Sequence, residues 1–170
     1  MEIALVTLLC VMPALVIAAG LNDLTTMTIP NWMSLALMVG FFPAALMVGL
    51  PLSQIALHFG VAVIALFFGA GLFALRLLGG GDAKLLAAIC LWMGLSGSLT
   101  FLLITTVAGG LFSLMLMMIR AQPGVAAVGG PAWMGRLLQP KGDIPYGIAI
   151  AAGALLTFPS SALMKAFIGA

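Results

Sequence analysis

The 170-residue chain contains four carboxylates, Glu2, Asp23, Asp82 and Asp143, and two of them stand in settings that suit chemistry. Asp82 closes the stretch "LLGGGD", directly before "AKLLAA", and Asp23 opens the polar stretch "DLTTMTIPN" directly after a long apolar run. Each lies at the end of a hydrophobic segment, so alternating membrane crossings would bring the two to one face although 59 positions separate them. Taken singly, each has an ordinary role: an aspartate before a helix is a preferred N-cap, and one in a short polar loop is simply solvated. Taken together they form a candidate dyad. Two carboxylates held close together share one proton. The charged member can draw a proton from water while the protonated member hydrogen-bonds to a carbonyl and then donates to it. This is aspartic-protease chemistry, and it needs no serine, cysteine or metal. Gly79, Gly80 and Gly81 add clearance, because residues without a Cβ permit a turn with positive φ and let an extended peptide approach Asp82.

Composition excludes several other classes. The chain is 64% hydrophobic and 6% charged, whereas an ordinary soluble domain is roughly 25% charged. A membrane-embedded bundle is expected, since lipid tolerates apolar side chains on the outside and demands only that backbone groups be paired internally. A net charge of +2 with scattered basic residues excludes the clustered basic face of a nucleic-acid binder. Cys10 and Cys90 lie 80 residues apart inside apolar runs, so they build neither a CxxC pair nor a four-ligand zinc set. Both are expected to pack as buried thiols, and no metal or cofactor is expected.

With the dyad and its glycines in view, the chain resembles the type IV prepilin peptidases, membrane aspartic proteases of the GxGD class. Gly79, Gly81 and Asp82 match the GxGD motif, and Lys84 matches its longer form; Asp23 precedes Ile29, Pro30 and Asn31, as the first catalytic aspartate does in that family. "DIPYGIAIAAG", residues 143–153, resembles the segment that opens the family's last span, although Ile148 stands where larger relatives often carry a second proline. The resemblance implies Asp23 and Asp82 as catalytic residues, with Gly79, Gly81, Lys84, Pro30 and Asn31 as the supporting motif. Asp143, Pro145, Tyr146 and Gly147 are candidate active-site lining. Only "LNDLTTMTIPN" joins the first two apolar runs, where the long bifunctional enzymes carry an extra cytoplasmic segment. The chain therefore looks like the short TadV/CpaA-type form of the tight-adherence (Tad/Flp) pilus systems, and the N-methylation linked to the missing segment is not implied. What is implied is removal of a short basic leader, after glycine, from Flp-type prepilins and pseudopilins. The setting would be the bacterial inner membrane, with the active site facing the cytoplasm, the bilayer and pilus-assembly machinery as partners, and no cofactor.

The elements that must position these residues are apolar runs long enough to cross a bilayer, about 20 residues each. Six are expected, near 3–21, 32–50, 54–76, 83–95, 99–119 and 144–168, giving an all-α, polytopic six-helix bundle in a single domain spanning 1–170. The fourth is short, as a tilted or partly interfacial helix would be. The first lacks the basic start of a signal peptide and is expected to be a retained span. The odd loops hold Arg76, Lys84, Arg120, Arg136 and Lys141, while the other side holds only Lys165. Basic loops stay in the cytoplasm, so both termini are expected outside.

"PAWMGRLLQP" puts Trp133, Met134, Leu137 and Leu138 on one face of a short interfacial helix, with Arg136 reaching lipid phosphate. Arg76 reads as a snorkelling anchor, and His58, at the far end of the third run, as a residue without a chemical role. Lys84 reads first as a lipid contact, with a charge on Asp82 or the substrate as the alternatives. Asp143 reads as a loop or cap residue, with support of the active site as the alternative. A competing function is a small proton- or cation-coupled transporter, which uses membrane acids as ion sites; transporters usually show inverted repeats and midplane charges, and this sequence has neither.

Overall fold

The computed structural model describes residues 2–125, 130–140 and 142–169, so Lys141 and the side chain of Glu2 lie outside it. The described residues are helical throughout, with no strand: α1 Glu2–Thr26, α2 Asn31–Met47, α3 Leu52–Ala74, α4 Gly80–Arg120, α5 Ala132–Leu137, α6 Gly147–Thr157, a 3₁₀ turn Phe158–Ser160 and α7 Ala162–Ile168. Four stretches are long and apolar enough to cross a membrane, Ile3–Thr26, Leu52–Ala74, Gly80–Arg120 and Gly147–Ile168, and Asn31–Met47 is a shorter apolar helix.

Two expectations about these elements need correction. The first helix does not stop near residue 21 but runs to Thr26, where Met27 takes a left-handed backbone (φ 57) and ends it. Asp23 therefore lies in the last helical turn and not in the loop. The last run is interrupted, because Pro159 lies in the 3₁₀ turn and Ser161 caps a separate α7 by accepting from the Met164 N–H. The expected fourth and fifth runs are both found within α4, on either side of a break at Gly94.

The break is a reversal. The Ser98 hydroxyl donates to the Cys90 carbonyl at 3.2 Å, although residues eight apart in a straight helix are separated by about 12 Å. Leu86 and Leu102 also line one cavity. The chain turns back at Gly94, whose φ of 67 and ψ of −173 are non-helical, so residues 80–93 and 95–120 form two antiparallel arms. A side chain could not occupy that turn, since a Cβ on Gly94 would lie 2.5 Å from His58 Nε2. His58 is buried there, stacks on Phe41 and donates from Nδ1 to the Leu91 carbonyl at 2.7 Å. It satisfies a backbone acceptor at the broken helix end.

The first arm is the centre of the bundle, which accounts for its shortness. Leu85, Ile89, Leu91 and Trp92 are fully buried, and Trp92 donates to the Leu37 carbonyl at 2.9 Å. A helix enclosed by other helices need not match the lipid thickness itself. α3 runs antiparallel beside this arm, Gly69 against Ala83 at one end and His58 against Leu91 at the other. α6 packs between α1 and the second arm, with Gly20 against Gly147 and Gly153 against Thr105. Small residues at such crossings let backbones approach closely in lipid. Large apolar side chains on the outer faces, Val39, Ile64, Phe67 and Leu103 among them, are exposed. Cys10 also points outward and is exposed, contrary to expectation, while Cys90 is buried.

α5 rests on α1. Trp133, Met134, Leu137 and Leu138 are half-buried while Gly135 and Arg136 are exposed, the one-sided pattern the sequence predicts.

Candidate active site

Asp23 sits in the final turn of α1 with its side chain buried. Three interactions hold that turn. Asn22 donates to the Thr28 carbonyl at 2.7 Å and to the Thr26 hydroxyl at 3.0 Å, which folds "TTMT" back on the helix. Arg136 donates to the Thr25 carbonyl at 2.6 Å, a cation capping the negative end of α1. The Gly147 N–H donates to Asp23 Oδ2 at 2.8 Å, tying α1 to the first residue of α6.

Asp82 lies in the first turn of α4. It is not the N-cap: Gly79 occupies that position, in an extended conformation and without a side-chain cap bond. Asp82 Oδ1 is buried and has no hydrogen-bond partner. An uncompensated buried carboxylate oxygen is costly, and such atoms mark places where a molecule is received.

The glycines act by clearance alone. Positive φ among glycines is confined, in the described residues, to Gly49, Gly94 and Gly124, so the expected left-handed turn at Gly79–Gly81 is absent. A Cβ on Gly79 would come within 2.6 Å of Asp82 Oδ2, and one on Gly81 within 3.0 Å of Ile29 Cβ and 3.3 Å of its carbonyl oxygen. The left-handed residue of this connection is Arg76 (φ 59), which ends α3 in a conformation non-glycine residues seldom adopt.

Gly81 against Ile29 is one half of a lock between the two halves of the site. The other is Lys84, whose ammonium donates to Asn31 Oδ1 at 2.8 Å. "IPN" and "GGGDAK" thus dock on each other, with Pro30 as the N-cap of α2 and Asn31 as its first residue. Lys84 is a tie between these helices and does not line the cavity that holds Asp82.

That cavity, of about 670 Å³, is lined by Asp23, Gly79, Asp82, Asp143, Pro145, Tyr146 and Arg76, with the end of α3 and Met27 completing the wall. Both aspartates thus face one cavity. Gly147 backs Asp23, and a Cβ there would stand 2.7 Å from Asp23 Cβ. Gly81, Lys84, Pro30 and Asn31 lie behind the cavity as its scaffold. Among the described residues, no three His, Cys, Asp or Glu side chains group to hold a metal ion.

Sequence reasoning missed one arginine and misread two others. Arg120, at the end of α4, donates to three carbonyls: Nε to Leu137 at 2.9 Å, Nη1 to Gly142 at 2.7 Å and Nη2 to Asp143 at 2.8 Å. This fork fixes the strand-like segment that carries Pro145 and Tyr146 into the cavity and presents Gly147 to Asp23. Arg76, expected to anchor in lipid, lines the cavity. Arg136, expected to reach phosphate, caps α1. A basic residue at a helix end is visible in sequence, but which carbonyl it meets is not: in the case of Arg136 it belongs to the end of a helix 111 residues away.

Residues 10–114 match the type IV leader peptidase family. The matched range contains Asp23, Ile29–Asn31 and Gly79–Lys84, the segments that interlock around the cavity. No curated protein and no solved structure matches the chain.

Proposed function

The chain belongs to the type IV leader peptidase family, and from that premise we propose that it is a membrane aspartic endopeptidase acting through Asp23 and Asp82. The observation that carries the reading is one cavity with two buried carboxylates on its wall, one of them with an unpartnered oxygen. Asp23, which accepts the Gly147 N–H, suits the charged partner, because a donor aimed at a carboxylate favours the ionised form. Asp82, with no donor on Oδ1, suits the partner that carries the shared proton.

In this mechanism Asp23 takes a proton from a water molecule as its oxygen attacks the scissile carbonyl carbon, and Asp82 gives its proton to the carbonyl oxygen. The tetrahedral intermediate then collapses. The C–N bond breaks, the departing amine takes the proton held by Asp23, and the hydroxyl proton returns to Asp82, restoring the dyad. Pro145 and Tyr146 shape the wall opposite, and Arg120 positions them through the loop carbonyls.

The substrates are prepilins of the Flp type and related pseudopilins, cut after glycine, and the chain is a TadV/CpaA-type short form. In this reading α2 and the two arms of α4 each count as a span, giving six, with both termini outside, the odd loops in the cytoplasm and the site at the cytoplasmic face of the inner membrane. The gathering of Arg76, Lys84, Arg120 and Arg136 at the aspartate end supports this orientation. The test is leader removal from a co-purified prepilin by Asp23→Asn and Asp82→Asn variants that still insert in the membrane. Both are expected to be inactive, and maturation by either at near wild-type rate would refute the dyad.

A further inference from the structure

Beside the aspartate cavity lies a second one, of about 330 Å³, between α3, the second arm of α4 and the start of α6. Leu77, Leu78 and Tyr146 line both and form a wall that they share. The smaller cavity has buried Gly69 and Thr105 on its floor, while Gly110 at its rim is exposed.

A shared wall with the aspartate cavity and an open glycine distinguish it from an ordinary crevice between lipid-facing helices. The Thr105 hydroxyl belongs to the internal packing, buried against Gly153 of α6. Gly110 faces open space, with no atom within 4 Å of where a Cβ would stand, so it does not serve the internal packing that the buried glycines serve. A small residue on an open helix face permits a second helix to approach closely.

We propose that this groove receives the apolar segment of the substrate that follows the scissile bond, while the polar leader occupies the aspartate cavity. The inference rests on the leader-peptidase reading above and adds where each half of the substrate lies. The chemistry of the two chambers divides in the same way. The first carries Asp23, Asp82 and Asp143 and suits a basic peptide; the second is walled by leucines, alanine and phenylalanine and suits a membrane helix. A chain passing from one to the other must cross between Leu77, Leu78 and Tyr146, beside Asp82.

The test compares the wild type with Gly110→Trp in lipid nanodiscs, using a full-length prepilin, with Gly60→Ala as the control outside both cavities. The indole should fill the groove without meeting the enzyme's own core. KM is expected to rise roughly tenfold or more for the Trp variant, with kcat little changed, as removal of uniform binding requires; the Gly60→Ala variant should resemble wild type. In parallel, a photoreactive group attached to the thiol of a Gly110→Cys variant, in an Asp82→Asn, Cys10→Ser background, should crosslink to the apolar segment of bound prepilin. An unchanged KM for Gly110→Trp, or adducts found only with lipid or with the leader, would overturn the groove assignment while leaving the dyad intact. Failure of the wild type to cut any prepilin would instead remove the leader-peptidase reading and this inference with it.

Discussion

Gly147→Ala tests the geometry of the dyad more sharply than removal of an aspartate, because it adds one methyl group and takes away no functional group. An alanine Cβ would stand 2.7 Å from Asp23 Cβ, 3.1 Å from Cγ and 2.9 Å from Oδ2. Non-bonded carbons rest at about 3.5–4.0 Å, so Asp23 and the start of α6 must separate by roughly 0.8 Å or more. Overpacking of this size costs about 1–3 kcal/mol, which lowers thermal stability without preventing insertion. The larger effect falls on catalysis. The same movement stretches the 2.8 Å bond from the Gly147 N–H to Asp23 and swings the carboxylate relative to Asp82, and a misplacement of about 1 Å can cost on the order of 100-fold in rate. The assay is single-turnover cleavage of a purified prepilin, followed by its change in size. Gly135→Ala serves as control, since its Cβ would meet nothing within 4 Å. A kcat within about twofold of wild type for Gly147→Ala, with melting lowered as expected, would refute the claim that the Gly147 contact sets the carboxylate position.

Arg120→Gln removes the fork that holds the Leu137, Gly142 and Asp143 carbonyls; kcat is expected to fall about tenfold or more and the 137–146 loop to become protease-sensitive, with Lys a poor rescuer because it lacks the planar fork. Lys84→Met breaks the tie to Asn31 and should lower activity several-fold, far less than loss of either aspartate, as measured in the same cleavage assay. Gly94→Ala combines a φ of 67 with overlap on His58 and is expected to prevent the reversal of α4, read as loss of protease-resistant protein in the membrane. His58→Leu leaves the Leu91 carbonyl unpaired and should cost about 1–3 kcal/mol, with the kcat of the surviving folded enzyme near wild type.

The residues most legible in the sequence were those whose role follows from type and order. Asp23 and Asp82 could be paired because hydrophobic runs count membrane crossings, and polar residues at the ends of runs share a face when the number of intervening crossings is even. Gly79 and Gly81 were identified as clearance, but their expected positive φ was not found, because an extended N-cap at Gly79 already brings the helix in at the required angle. Arg76, Arg120 and Arg136 were visible as charges and unreadable as contacts. Whether an arginine meets phosphate or a carbonyl depends on which loop folds over it.

Composition by itself determined the all-helical, membrane-embedded character of this protein, because a chain with 6% charged residues cannot cover a soluble surface and lipid requires every backbone group to be paired locally. Hydrophobic order by itself determined that the two aspartates share an end. Only the tertiary structure decided that "IPN" and "GGGDAK" lock together through Gly81 against Ile29 and Lys84 against Asn31, that the expected fourth and fifth helices fold back on each other at Gly94, and that Gly147 supplies the hydrogen bond to Asp23. These are contacts between distant parts of the chain, 124 residues apart in the last case. They depend on shape complementarity between helix faces, which a one-dimensional pattern of apolar and polar residues does not record.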